Sequence, residues 1–399
     1  MLGRIIKQNN IFYCLIDDKM HSLELDVKDK INNGDLIQIN ECQPNDIIKR
    51  SSISVLKRLP LKTKIPALTE MSPLHKRLKN RILDLRSSTN HSTFIFRSEI
   101  NKILANLFNS NDYVNMNTPL IVGSVTEGRV NTFKVDFFGH EASLTMTKLV
   151  YLRYLICSDF KKVYDLSPVF VGGKHKTLNH VSEYYTLDWA TSEQIDFNEH
   201  LQYVDTILSE LITKLSQFVK RSNLKINFKF GLLLEEIKDI KILNYTEVMD
   251  TYIKTYPEDK DVLKQFHIPA RIISFAHNRY GKCFWIVEFP EQFKQFYCDT
   301  LRRGNRNVVL SSELWWNNIK IASISFSNSD YQKTFNRIKM LGLNPNNFKT
   351  YLKAISLASA EAYLGSLYIE RLMMVFLNID NIKEAQLFPR AQQGAILDP

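Results

Sequence analysis

Cysteine, proline and glycine are all scarce in this 399-residue chain, which has five Cys, 12 Pro and 13 Gly. The cysteines stand at 14, 42, 157, 283 and 298, with no CxxC and no Cys/His cluster. Such spacing excludes a disulfide framework and offers no zinc site, and reduced thiols fit a cytoplasmic protein. So little Pro and Gly excludes collagen-like and Pro/Gly-rich disordered chains. No stretch of about 18 residues is free of charge, so neither a transmembrane helix nor a membrane partner is expected. The opening MLGRIIKQNN has no apolar h-region, so no signal peptide is expected there. No repeat recurs at a spacing of about 20–50 residues, which argues against a solenoid.

What is present is ordinary for a globular protein: 44% hydrophobic and 24% charged residues. The length exceeds one typical domain. Lys and Arg number 52 against 42 Asp and Glu, a net charge of +10. That balance permits a polyanionic partner such as RNA. The excess is spread along the chain, as an Asn/Lys/Ile-rich composition would also give.

Five short segments, GRIIKQ, IFYCLID, HSLELDV, GDLIQINE and ISVLKRLP, are aliphatic or alternating, with a turn at Asn32-Asn33-Gly34-Asp35. They predict a small OB-like β-barrel over residues 1–60. LKTKIPALTEMSPLH (61–75) carries two prolines and little periodicity and is expected to be a linker. The remainder, 76–399, mixes both periods. Phe96, Ile100, Ile103, Leu104, Leu107 and Phe108 predict an amphipathic helix over 93–109. DYVNMNTPLIV is expected to be a strand ending near Pro119. VNTFKVDFF and EASLTMT predict a strand pair turning at Gly139, and VYLRYLICSDF a helix. KVYDLSPVFV and EYYTLDWAT are expected strands flanking the polar loop GGKHKTLNH. A long helix is predicted over 197–219, sheet at 283–289, 307–316 and 319–326, and a closing helix near 369–377. Antiparallel strands with helices on one side give an α+β class.

In this order, the segments resemble the class II aminoacyl-tRNA synthetases, the aspartyl/asparaginyl branch foremost and the lysyl branch next, over about residues 72–390. HKRLKNRILDLRSS resembles the start of the family's catalytic domain. The helix at 93–109 and DYVNMNTPL resemble its first motif, the dimer interface, with Pro119 at that motif's proline. SPVFVGG…NHVSEYYTLDWA resembles the second motif. LNYTEVMD and WIVEFPEQFKQFY resemble connecting elements, and SSELWWNNIKIASIS the strand pair carrying metal ligands. YIERLMMVFLNIDNIKEAQLFPR resembles the third motif. The resemblance implies adenylation, in which a carboxylate attacks the α-phosphate of ATP. Fixed cations must then meet the growing negative charge.

Residue by residue, the resemblance implies roles for several positions. Arg371, after Glu370, sits at the third-motif arginine on the γ-phosphate and adenine. Tyr184 sits at the aromatic that stacks on adenine, and Glu183 at the glutamate that reads its amino group. Glu127 and Gly128 match the loop over the amino acid. Glu313 stands at the first magnesium carboxylate. Other positions depart from the pattern. The second motif's phenylalanine–arginine–x–glutamate reads Phe170-Val171-Gly172-Gly173 here, and valine cannot bind a phosphate. Lys320 stands at the second magnesium carboxylate, and an ammonium repels a divalent cation. Ala322-Ser323-Ile324-Ser325-Phe326-Ser327 replaces a glycine-rich run ending in arginine. Tyr368 replaces a third-motif glycine and is expected to occupy or crowd the adenine slot. Leu149 falls near a glutamine used on the amino acid.

These losses converge on one reaction. They imply a homodimeric, cytoplasmic paralogue without standard aminoacyl-tRNA synthesis and without a cofactor. It would bind an amino acid or small anion, a protein, or tRNA or another RNA. The alternative is an ATP-dependent amino-acid ligase with an altered site, an asparaginyl/aspartyl-tRNA or asparagine-synthetase type, using ATP and Mg. There Lys320, with Lys174, His175 and Lys176 from the adjoining loop, would supply charge to the phosphates. A third possibility is an RNA-binding barrel in which Phe12 and Tyr13 stack on bases, though core positions suit both equally. A buried Lys320 needs a carboxylate partner, and Glu313 is the nearest candidate.

Overall fold

The computed structural model describes residues 2–8, 11–16, 19–24, 35–39, 48–49, 53–57, 68, 71–123, 132–173, 177–265, 267–358 and 360–391. The chain divides into two compact units. One comprises Met1–Ser98, Gln217–Ile226 and Gly394–Pro399, the other Glu99–Ser216 and Asn227–Gln393. The expected Glu127 and Gly128, the loop residues Lys174, His175 and Lys176, and most of the 61–75 linker lie outside the described residues.

In the first unit, strands β1 (Leu2–Gln8), β2 (Ile11–Ile16), β3 (Lys19–Glu24), β4 (Leu36–Ile39), β5 (Ile48–Lys49) and β6 (Ile53–Lys57) form one sheet. Its order is β5-β3-β2-β1-β4-β6. A meander, a parallel β3–β5 pair and an antiparallel β1–β4 pair are consistent with the OB-like expectation. Alternation turns Ile5, Cys14, Leu23, Ile37, Ile39 and Ile53 into a common core. Phe12 and Tyr13 sit on β2, opposite Lys7 and Ile6. Their side chains lie outside the described part.

Helices α1 (Leu74–Lys79) and α2 (Arg81–Asp84) follow. Asp84 there accepts from Arg77 Nε at 2.8 Å, from Asn90 Nδ2 at 2.8 Å, and from Arg81. Both arginines are buried, and burial is tolerable because their charges are paired. Helix α3 (Ser88–Ser110) contains the predicted stripe. Its six apolar residues are buried in the single chain, so no partner subunit is needed to cover them.

The second unit takes in α3 from Glu99 onward, then β7 (Val114–Asn115), β8 (Ile121–Val122), β9 (Lys134–Phe137) and β10 (His140–Leu144). Next come α4 (Leu149–Ile156), β11 (Lys162–Phe170), β12 (Glu183–Thr191), α5 (Phe197–Arg221) and α6 (Phe230–Glu236). β13 (Lys241–Asn244), α7 (Tyr245–Thr255), α8 (Ala270–Tyr280), β14 (Cys283–Pro290) and β15 (Thr300–Arg303) continue the chain. It closes with β16 (Arg306–Trp316), β17 (Ile319–Ser327), α9 (Tyr331–Met340), α10 (Lys349–Ala358), β18 (Ala362–Tyr368) and α11 (Ile369–Leu377). A nine-stranded sheet runs β13-β14-β16-β17-β18-β12-β11-β7, with β15 on β16. It is antiparallel except for the outermost pairs β13–β14 and β11–β7. The class is α+β, as expected.

One expected strand is broken. β7 ends at Asn115, and β8 begins only at Ile121. Thr118 donates both its N–H and its Oγ1 hydroxyl to Asp165 Oδ2, at 2.8 and 2.7 Å, and Pro119 has no N–H to donate. The ladder therefore loses its donors there. β11 tolerates Pro168 because β7 pairs only with Val163 and Tyr164, leaving an edge farther on.

Trp285 of β14 donates from Nε1 to Asp205 Oδ1 of α5 at 2.9 Å. Burial raises the Asp205 carboxyl to about 6, with the indole bond opposing the rise. An acid whose folded value lies above its unfolded one holds more protons when folded, so stability falls as pH climbs from about 4 through 6. Asp205→Asn keeps an acceptor for Trp285 and removes this penalty. Urea midpoints are expected to show the variant more stable by about 1–2 kcal/mol near pH 7.5, with no gain near pH 4. A constant difference at both pH values would contradict this account.

Candidate functional site

The centre of the large sheet, between β12, β18, β17 and β16, borders three adjoining cavities. One of about 220 Å³ is polar, walled by Asp188, Ser311, Ser323, Ser325, Ser366 and Tyr368 among others. A second, of about 770 Å³, combines Phe289, Phe293 and Trp315 with charged side chains. The third, of about 160 Å³, is bounded by Val171, His180, Tyr184 and Arg371. Lys294, Glu313 and Lys320 line both of the first two. The serines on β17 and β18 follow from alternation, which turns every second residue toward one face.

Glu313 is the hub. Its Oε1 accepts from Lys294 Nζ at 2.7 Å and from Lys320 Nζ at 3.1 Å. Its Oε2 accepts from Trp315 Nε1 at 3.2 Å. The ion pair with Lys320 expected from the sequence is therefore present. The Glu313 side chain is 13% exposed and that of Lys294 9%. Burial alone would raise this carboxyl, but the two ammonium groups win and hold it at about 2. Burial also pulls Lys294 down, with Glu313 opposing. Burial pulls Lys320 down most strongly, but the Glu313 charge and hydrogen bond together with Tyr368 outweigh it, and the ammonium is raised.

Glu313 and Lys320 meet because the β16–β17 ladder slips by one residue. Glu313 pairs with Ser323 and Leu314 with Ala322, whereas Trp315 pairs with Lys320 rather than Ile321. In an unbroken ladder Lys320 would face the other side of the sheet from Glu313. The extra residue is a bulge, and Ile321 and Ala322, adjacent in sequence, are both buried.

Around this hub the expected residues take the following places. Arg371, at the start of α11, donates from one terminal nitrogen to the Lys320 carbonyl at 3.1 Å. Its guanidinium lies 5.1 Å from the centre of the Tyr368 ring. Tyr184 and Arg371 share the smallest cavity. Tyr368 does not itself line that cavity, although its ring lies beside both Arg371 and Tyr184. The phenol instead forms a wall of the polar cavity, its hydroxyl 3.2 Å from Ser323 Oγ, and its ring is tilted 6.2 Å from that of Tyr184. The register places it there, since Tyr368 pairs with Thr186, which shares a face of β12 with Tyr184. Val171 lines two of the cavities with an apolar side chain, and Leu149 lines the polar one. Glu183 pairs with Phe170, its carbonyl accepts from Gln386 Nε2 at 2.5 Å, and it lines none of the three cavities. Glu370 is buried and accepts from the Tyr185 N–H at 2.9 Å.

Three further residues have no counterpart among the expected ones. Lys294 sits on a turn that Arg337 of α9 clamps, donating to the carbonyls of Glu291, Lys294 and Gln295 at 2.8–3.2 Å. Its ammonium also lies 3.6 Å from the Phe289 ring centre, a cation–π contact. Lys148 is fully buried, donating to the carbonyls of Ser167 and Thr186 at 2.6 and 3.1 Å. Its backbone N–H donates to Asp188 Oδ2 at 3.3 Å. Burial lowers the Lys148 ammonium and raises the Asp188 carboxyl, each partly offset by the other's charge.

A divalent metal does not fit these residues. Both Glu313 oxygens are engaged by N–H donors, and the adjoining strand offers an ammonium instead of a carboxylate. Among the described residues, no group of three or more His, Cys, Asp and Glu is placed to hold a metal ion. No helix among them is long and apolar enough to cross a membrane.

Comparison with known proteins agrees with this architecture. The family model described as tRNA synthetases class II (D, K and N) matches residues 73–392. An aspartate–tRNA(Asp/Asn) ligase of Methanococcus aeolicus is 27% identical over 330 residues, covering 82% of this chain and 73% of its own length. An aspartate–tRNA(Asp) ligase of Picrophilus torridus is 28% identical over 319 residues, covering 79% and 73%. Among solved structures, asparaginyl-tRNA synthetase of Pyrococcus horikoshii, complexed with asparaginyl-adenylate, superposes with a TM-score of 0.82. It shares 18% identity over 98% of this chain and 94% of its own. At that identity the likeness establishes the fold.

Proposed function

Because this chain belongs to the class II tRNA synthetases of the D, K and N group, we propose that it is an aspartyl/asparaginyl-type paralogue that does not form an aminoacyl-adenylate. It acts instead through binding, as a cytoplasmic homodimer whose partner is a small ligand, a protein or RNA. The observation that carries this reading is Glu313 Oε1 shared between two lysine ammonium groups. The relatives' chemistry needs a cation bridging phosphates at such a place, and a carboxylate already neutralised by lysines does not recruit one. Val171 adds to it. An apolar side chain lines two cavities where the family pattern has an arginine, and a lost preorganised cation costs about 3–4 kcal/mol of transition-state stabilisation.

One observation favours the ligase alternative. Tyr184 and Arg371, the two residues that the family pattern sets about adenine, line one cavity of about 160 Å³. Amino-acid-dependent exchange of labelled diphosphate into ATP decides between the two. With each of the twenty amino acids and Mg present, exchange is expected to stay at background. Robust exchange with any one of them would make the protein a ligase and end the non-catalytic reading. Val171→Arg alone is expected to leave exchange at background, because the metal position is lost independently.

A further inference from the structure

The small sheet of the second unit has an open side. Its order is β8-β10-β9, so β9 is an end strand, and among the described residues no strand pairs with its outer edge. Leu144 donates its N–H to the Phe133 carbonyl at 2.9 Å, so Phe133 turns its backbone toward β10. In an antiparallel ladder that direction alternates, and Lys134 and Asp136 therefore turn their N–H and C=O groups outward. Side chains alternate too, so Phe133, Val135 and Phe137 share one face of the strand and Lys134 and Asp136 the other. A lysine on an open edge ordinarily repels a second copy of the same strand. Here a charge of opposite sign stands two positions away, and the effect is reversed.

Laid antiparallel on itself, Phe133-Lys134-Val135-Asp136-Phe137 is its own complement. With Val135 on a two-fold axis, Lys134 faces the partner's Asp136, and Phe133 faces the partner's Phe137. The outward backbone groups fit the same register, because Lys134 and the partner's Asp136 then exchange both ladder bonds, and symmetry repeats the exchange. Sliding to either neighbouring register opposes Lys134 to its own copy or Asp136 to its own copy, which is unfavourable. The turn beyond the strand adds apolar surface. Phe138 is 90% exposed with φ 54°, its ring 4.9 Å from that of Phe137. A two-residue turn of this hand favours Asn or Gly there, and the single chain leaves the ring in solvent. The α3 stripe, by contrast, is already covered within one chain. Building on the homodimer reading, we infer that β9 is the strand through which two copies of this chain join, pairing antiparallel about Val135 so that the two small sheets become one continuous sheet.

Sedimentation of the full chain at micromolar concentrations, with charge-exchanged variants, tests this. Wild type is expected to be a dimer. Lys134→Asp and Asp136→Lys are each expected to weaken dimerisation about tenfold or more, because symmetry turns two opposite-charge pairs into two like-charge pairs. The double variant Lys134→Asp/Asp136→Lys restores opposite pairs and is expected to return to within about threefold of wild type. Damage to the hairpin alone, through loss of the Lys134–Glu141 ion pair or of the Asp136 bond to the Gly139 N–H, would accumulate in the double variant instead of cancelling. Val135→Cys gives a second readout. Residue 135 would face its own copy as a non-hydrogen-bonded pair, with Cα atoms about 4.5 Å apart, within reach of a disulfide. Mild oxidation is expected to give a band of doubled mass on a non-reducing gel with Val135→Cys and none with Lys134→Cys. A wild-type dimer that ignores both single charge variants, fails to recover in the double variant, or crosslinks equally through both cysteine variants would overturn this inference and leave the homodimer reading standing. A monomeric wild type, with the Lys134 and Asp136 amides exchanging freely or shielded by another segment of the chain, would overturn both.

Discussion

Glu313→Gln is expected to cost about 3–5 kcal/mol of folding stability at pH 7, the range found when one partner of a buried charge pair is removed. The amide keeps an acceptor oxygen but not the charge, so Lys294 and Lys320 are left facing each other without a counter-ion. The pH dependence carries a second signature. In the wild type, the Glu313 carboxyl is held at about 2, below its unfolded value, so its stabilisation is complete above about 4.5 and disappears as pH falls through 2. In the variant, Lys294 is already pulled down by burial and loses the charge that opposed that pull. The unfolded chain then binds more protons than the folded one, and stability rises with pH toward the ordinary lysine value. Urea denaturation at pH 7 and pH 9.5 reads both effects. A loss under about 1 kcal/mol at pH 7, or a deficit that grows with pH, would refute the assignment of Glu313 as hub.

Gly365→Ala is expected to be comparably damaging for a steric reason. Gly365 pairs directly with Trp189 across β18 and β12, and a Cβ built on it would stand 2.0 Å from Trp189 Cζ2. Trp189 is fully buried, with Phe108 against it and its Nε1 donating to His200 Nε2 at 3.2 Å. That bond fixes the proton of neutral His200 on Nδ1, and burial pushes the imidazole down to about 3, so it stays neutral at physiological pH. The indole cannot withdraw without breaking this contact and opening space on its far side. A loss of about 3 kcal/mol or more follows, at the upper end of overpacking costs. Thermal melting and near-ultraviolet circular dichroism read it. A melting temperature within about 2 °C of wild type would show that the tryptophan has room to move.

Legibility in the sequence followed the range of the forces involved. Helices α3 and α5 are readable because their apolar residues recur every third or fourth position, a purely local signal. The strand expected to end near Pro119 stops earlier, at Asn115, because Asp165, 47 positions from Thr118, captures the Thr118 donors. At the site, Glu313 and Lys320 are legible from the family's strand-pair pattern, but the bulge that turns both to one face is not. Nor is Lys294. Nothing in EFPEQFKQFY separates it from a solvated lysine, since its burial comes from the Arg337 clamp and the Phe289 ring. Tyr368 is legible as bulk beside Tyr184 and Arg371, but not as a wall of the polar cavity, which follows from its pairing with Thr186 on another strand. Gly365 carries no local mark of its role, since the tryptophan that demands it lies on another strand.

The slip between β16 and β17 makes the charge cluster a matter of odd and even numbers. A sheet keeps no record of how far apart two residues are along the chain, only of whether the count between them returns to the same face. Here one surplus residue supplies the required parity. The cluster is thus indifferent to many side-chain exchanges but intolerant of a frame change. Losing or gaining one residue between Leu314 and Ala322 would turn Lys320 to the other side of the sheet and leave Lys294 alone with Glu313. A descendant chain can therefore cancel the excess positive charge of this site by changing one letter at 320, whereas changing its length there abolishes the site.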